Sequence, residues 1–91
     1  MANIGPGVYS VEYSKNALKT LMRIPRTTRE LIQAKVDAFA KAPAQAANVK
    51  SLVGRPGFRL RVGDWRVIFD IDEGRLVVLV LQIGSRGGIY R

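Results

Sequence analysis

The sequence predicts one α+β domain, a pair of helices covering a mostly antiparallel sheet in the order βααβββ. Three observations carry this. Apolar residues recur at helical spacing between Ser14 and Pro43. Strand-like alternation precedes and follows that stretch. Gly–Asp and Asp–Glu–Gly turn signals then cut the second half into hairpins. A chain of 91 residues, 47% of them apolar, suits one modest core rather than disorder.

Residues 1–7 contain Gly5, Pro6 and Gly7 and read as a flexible leader, with the domain over 8–91. Val8 to Tyr13 alternates and is rich in β-branched and aromatic residues, so it reads as a strand. Tyr9 and Tyr13 share a face with Val11 and read as sheet packing. Ser14 is placed to cap a helix with Ala17, Leu18, Leu21 and Met22 on one side. Ile24-Pro25 interrupts it. Thr27 to Glu30 has capping-box spacing, with Thr27 as the cap. The second helix presents Leu31, Ile32, Val36 and Phe39 as its buried stripe and ends near Pro43.

Ala44 to Gly57 reads as a long connection in which Lys50 and Arg55 are solvated. Phe58 to Val62 and Trp65 to Ile71 read as strands, and Asp72-Glu73-Gly74 leads into Leu76 to Ile83. That last strand is apolar at almost every position. It suits a strand covered on both faces, or one whose second face meets a partner.

Strand parity places Phe58, Leu60 and Val62 on one face, and Arg59 and Arg61 on the other. Gly63-Asp64 fits a II′ hairpin turn. Val62 then pairs with Trp65, Arg61 with Arg66, Leu60 with Val67 and Phe58 with Phe69. Trp65 falls with the core, and Asp70 falls on the arginine face. Like charges directly opposite on a sheet are destabilising. At ~5 Å in water the repulsion is roughly 0.8 kcal/mol. A cluster that opposes stability in this way points to an anion site.

The charge balance agrees. Fifteen Lys and Arg against seven Asp and Glu give a net charge of +8, which favours nucleic acid or an acidic protein segment. Cysteine and histidine are absent, which removes thiolate nucleophiles and the commonest metal ligands and general base. The acidic residues form no metal-binding run, so neither metal nor cofactor is expected. The longest apolar run is too short for a membrane helix, and a soluble cytoplasmic protein is the expectation.

The stretch Lys50 to Gly54, then Phe58-Arg59-Leu60-Arg61-Val62-Gly63-Asp64-Trp65-Arg66-Val67-Ile68-Phe69, resembles the RelE toxins of the RelE/ParE toxin–antitoxin superfamily. Val80 to Arg86, Tyr90 and Arg91 extend the resemblance, as do Ser14 to Ala17, Leu21 and Ile24-Pro25. It covers the chain from about Tyr9 to Arg91. It implies a helical hairpin on a curved, mostly antiparallel sheet. It also implies metal-independent mRNA cleavage, typically on the ribosome, by attack of the ribose 2′-hydroxyl on the adjacent phosphate. The implied partners are mRNA, the ribosome and a RelB-like antitoxin with an acidic or amphipathic helical segment. Operator DNA would be met only through that antitoxin.

The implied site is Arg59, Arg61, Arg66, Arg86 and Tyr90. The last two join the cluster only through the resemblance. Well-studied members carry lysine at the positions of Arg59 and Arg61, and arginine does not readily serve as a base. Tyr90 would need a pKa lowered by neighbouring guanidinium groups to fill that role. The ParE branch shares the fold but inhibits DNA gyrase, and it generally lacks the full Arg and Tyr set. An inactive RNA- or protein-binding module is the third alternative.

Overall fold

The computed structural model describes residues 8–45 and 47–85. The leader over 1–7, Arg86 and Tyr90 lie outside the described residues. The elements are β1 (Ser10–Tyr13), α1 (Lys15–Arg23), α2 (Arg26–Lys41), a 3-10 turn (Pro43–Gln45), β2 (Val49–Ser51), β3 (Phe58–Val62), β4 (Trp65–Asp72) and β5 (Val77–Ser85).

Five strands form one sheet in the order β1-β5-β4-β3-β2. β1 runs parallel to β5, and every other neighbour is antiparallel. The α+β class and the helical pair over a mostly antiparallel sheet are therefore as expected. The connection over 44–57 holds more order than its composition suggested. Val49–Ser51 pairs with β3 as a short edge strand, so Lys50 belongs to the sheet and not to a solvated loop.

Local chemistry sets the helix ends. Ser14 accepts a hydrogen bond from the Ala17 N–H at 3.1 Å and caps α1. α1 stops at Arg23 because Ile24 precedes proline and takes an extended conformation (φ −86°, ψ 161°). The capping box expected at Thr27 does not form. The Pro25 carbonyl already accepts from Arg29 N–H, which starts α2 at Arg26 and puts Thr27 inside the first turn. Glu30 instead pairs with Arg26 Nε at 3.0 Å, one turn back.

The core lies between the helices and one sheet face. Ala17, Leu21, Ile32, Val36 and Phe39 meet Leu60, Val67, Phe69, Val78 and Val80 there. Phe69 packs against both Phe39 and Phe58, with ring centroids 4.9 and 5.5 Å apart. Three residues assigned to buried stripes are exposed instead. Leu18, Met22 (71%) and Leu31 (49%) lie at the margin of their helices' apolar arcs, while Ala40 completes the buried face of α2.

Candidate RNA-binding site

β3 and β4 pair in the register that parity and the turn dictate, with Arg61 opposite Arg66 and Arg59 opposite Ile68. Gly63 supplies the positive φ of +58° at the first turn position, and Asp64 keeps a negative φ, as a II′ turn requires. Arg59, Arg61 and Arg66 therefore share the face turned away from the helices.

The short β2 adds a cation that the sequence reading left out. Lys50 lies directly opposite Arg59. Two cross-strand rows result. One runs Lys50, Arg59, Ile68, Gln82; the other runs Arg61, Arg66, Gly84. Gly84 puts no side chain beside Arg66. A three-residue strand is nearly invisible to pattern analysis. The only signal for Lys50 was the brief apolar–polar alternation of Val49-Lys50-Ser51.

The guanidinium groups are held differently. Arg66 Nη1 donates to the Gly63 and Trp65 carbonyls at 3.0 Å each, which folds it against the hairpin turn. Arg59 is half-buried and engaged, beside Lys50, Leu52 and Arg55. Arg61 is exposed and borders a cleft with Lys35 and Asn48. The shared face thus fans its cations across the hairpin rather than stacking them at one point. β5 ends at Ser85, which opposes Trp65 next to the Arg61–Arg66 row.

Asp70 lies on the same face, and its Oδ1 accepts from the Ile71 N–H at 2.8 Å. The ion pairs among the described residues join Arg26 to Glu30, and Arg75 to Glu12 and Asp72. Four basic side chains on two rows can neutralise adjacent phosphates and stabilise charge that builds on a phosphoryl oxygen.

Elsewhere two polar atoms are buried without a hydrogen-bond partner among the described residues, Tyr13 Oη and Arg29 Nε. Burial, and secondarily the Asp37 carboxylate, push the Tyr13 phenol up to about 12. Tyr9, by contrast, donates to Glu73 Oε1 at 2.8 Å from within the core.

Comparisons with known proteins agree with this architecture. The chain is 27% identical over 81 residues to the mRNA interferase toxin RelE of Escherichia coli K12, covering 86% of this chain and 83% of that protein. Its fold matches the RelBE2 toxin–antitoxin complex of Mycobacterium tuberculosis with a TM-score of 0.78 at 21% identity, over 92% of this chain and 98% of the other. It matches the archaeal RelE–RelB complex of Pyrococcus horikoshii with a TM-score of 0.76 at 26% identity, over 89% and 98%. The RelE-type resemblance read from the residues holds at the level of the RelE/ParE superfamily. A family model described as the ParE toxin of type II toxin–antitoxin systems matches residues 11–90, and the chain belongs to that family.

Proposed function

We propose that this toxin is a metal-independent endoribonuclease that cleaves mRNA on the ribosome and is restrained by a cognate antitoxin. The observation that carries the reading is the cationic face of Lys50, Arg59, Arg61 and Arg66, where two arginines oppose each other directly. A phosphate backbone relieves that repulsion. The named relatives are mRNA interferases and toxin–antitoxin complexes, which supports both halves of the proposal.

In the proposed reaction the ribose 2′-oxygen attacks the adjacent phosphorus and the bond to the 5′-oxygen breaks. The products are a 2′,3′-cyclic phosphate and a 5′-hydroxyl. The 2′-hydroxyl proton leaves to a base, and the departing 5′-oxygen gains a proton. Arg66 and Arg86 hold the phosphate. Arg59 and Arg61 neutralise the pentacovalent charge and orient the 2′-hydroxyl. Tyr90 positions the nucleobase.

The antitoxin covers apolar surface along β5, which includes the exposed Leu81 and, in the turn before the strand, Leu76, and sets a carboxylate or a physical block near the arginines. The test is induced expression with primer extension on mRNA. Cuts within codons are expected, and Arg86→Ala or Tyr90→Ala should abolish both cutting and growth arrest with the fold intact. Full toxicity of both variants overturns these assignments.

A second reading has its own support, because the family model that matches is described as a ParE toxin. Under it the toxin inhibits DNA gyrase. Intact mRNA with arrested supercoiling identifies that outcome.

A further inference from the structure

Ile68 is only 3% exposed, yet parity puts it on the arginine face, outside the helix-side core. Burying an isoleucine on a cationic face requires a second cover. The loop after β2 supplies it: Leu52, Arg55 and Pro56 line a cavity of about 420 Å³ with Ile68, Leu81, Gln82 and Asn16. The volume falls within the range of small-molecule sites, about 300–1,000 Å³.

The walls are fixed by the backbone. Leu52 N–H donates to the Gly57 carbonyl at 3.0 Å and closes the loop. Gly57 adopts φ +113°, and a β-carbon there would approach Leu52 Cδ1 to 3.2 Å and Phe69 O to 3.3 Å. On the other side the register of β5 slips against Ile68 and Phe69, leaving Leu81 unpaired between Val80 and Gln82. Leu81 and Gln82 both border the cavity as a result. Ser14 pins this bulge, with Oγ donating to the Leu81 carbonyl and N–H to the Val80 carbonyl, each at 2.8 Å. The same contacts bring the first turn of α1, and with it Asn16, to the rim.

We propose that this cavity is a nucleobase subsite, in which a base packs on Leu52 and Leu81 above the buried Ile68 while the Asn16 and Gln82 amides hydrogen-bond its edge. The proposal rests on the RNA reading above and names how the site selects sequence. A side-chain amide presents a donor and an acceptor together, which matches the edge of a base. Arg55 at the rim has the planar cation that stacks on splayed bases of single-stranded RNA. Spacing fits as well. Arg59 is directly opposite Ile68, and Arg66 lies two residues along β4, roughly 7 Å away. A phosphate on the arginines therefore leaves its own base over the cavity.

The test titrates the full-length, isotope-labelled protein with the four nucleoside 5′-monophosphates and with ribose 5-phosphate, which carries the phosphate but no base. At least one nucleotide should bind about tenfold more tightly than ribose 5-phosphate. It should also shift the Asn16 and Gln82 side-chain amide signals. Gln82→Met and Asn16→Ala should remove the advantage while leaving ribose 5-phosphate binding unchanged. Equal affinity for all five ligands overturns the subsite. In cleavage mapping, Gln82→Met should change base preference at the cut site; an unchanged preference also overturns the subsite. A protein that binds nucleotides here but cuts no RNA keeps the subsite and loses the nuclease reading.

Discussion

At the residue scale, two positions show how local physics is spent on the site and on the core. Gly57 occupies a backbone conformation that side chains rarely adopt and has neighbours within 3.3 Å of the place a β-carbon would take. Gly57→Ala should destabilise the fold by about 1–3 kcal/mol, seen as a lower urea midpoint. Tyr13 poses the opposite case, since its hydroxyl is buried without a partner among the described residues. Tyr13→Phe removes that unsatisfied group and should raise stability by about 1 kcal/mol. The folded-state phenol titrates near 12 rather than at its ordinary 10.0. The neutral phenol's contribution is thus intact below pH 10 and is lost as pH climbs toward 12. Urea midpoints across that window should fall less steeply for Tyr13→Phe than for wild type, and equal slopes would count against a buried phenol.

At the element scale, the β3–β4 hairpin carries an internal conflict. Arg61 and Arg66 oppose each other with no carboxylate between them. Arg61→Glu should stabilise the free protein by about 0.5–1 kcal/mol at low salt while weakening RNA binding. Urea denaturation at two ionic strengths checks the first half; a loss of stability at low salt would remove the conflict.

This hairpin was fully legible in the sequence because parity and a glycine turn fix its register together. Other elements were not. The strand at Val49–Ser51 is too short for a period to show. The phases of α1 and α2 were read slightly too wide, and Leu18, Met22 and Leu31 fell on the wrong side. The start of α2 was decided by the Pro25 carbonyl rather than the Thr27 hydroxyl. The cover over Ile68 was hidden for another reason. It depends on a bulge and a loop closure, neither of which leaves a periodic trace.

At the scale of the whole molecule, the extents are 32 × 27 × 23 Å. These exceed the ~8 Å screening length at physiological salt. Under the proposed function, RNA affinity should therefore follow the local cluster rather than the net charge. Replacing Lys50, Arg59, Arg61 or Arg66 singly by Gln should lower the slope of log K against log salt by about 0.7. Arg26→Gln, on the helix side and paired with Glu30, should leave the slope unchanged. Filter binding across a salt series reads both, and an equal effect of Arg26 would return the argument to bulk charge.

The parallel pairing of β1 with β5 reaches further than the sheet. Ser14 bonds to Leu81 across 67 residues of sequence. Val78 and Val80, at the centre of the core, belong to β5, which follows the other four strands in sequence among the described residues. Contacts of such long range form late. A growing chain therefore has helices before it has anything for them to cover. The wall of the cavity formed by Leu81 and Gln82 is likewise missing until that strand arrives. The cavity beside the arginines therefore closes only after the helical pair and the β3–β4 hairpin are already in place.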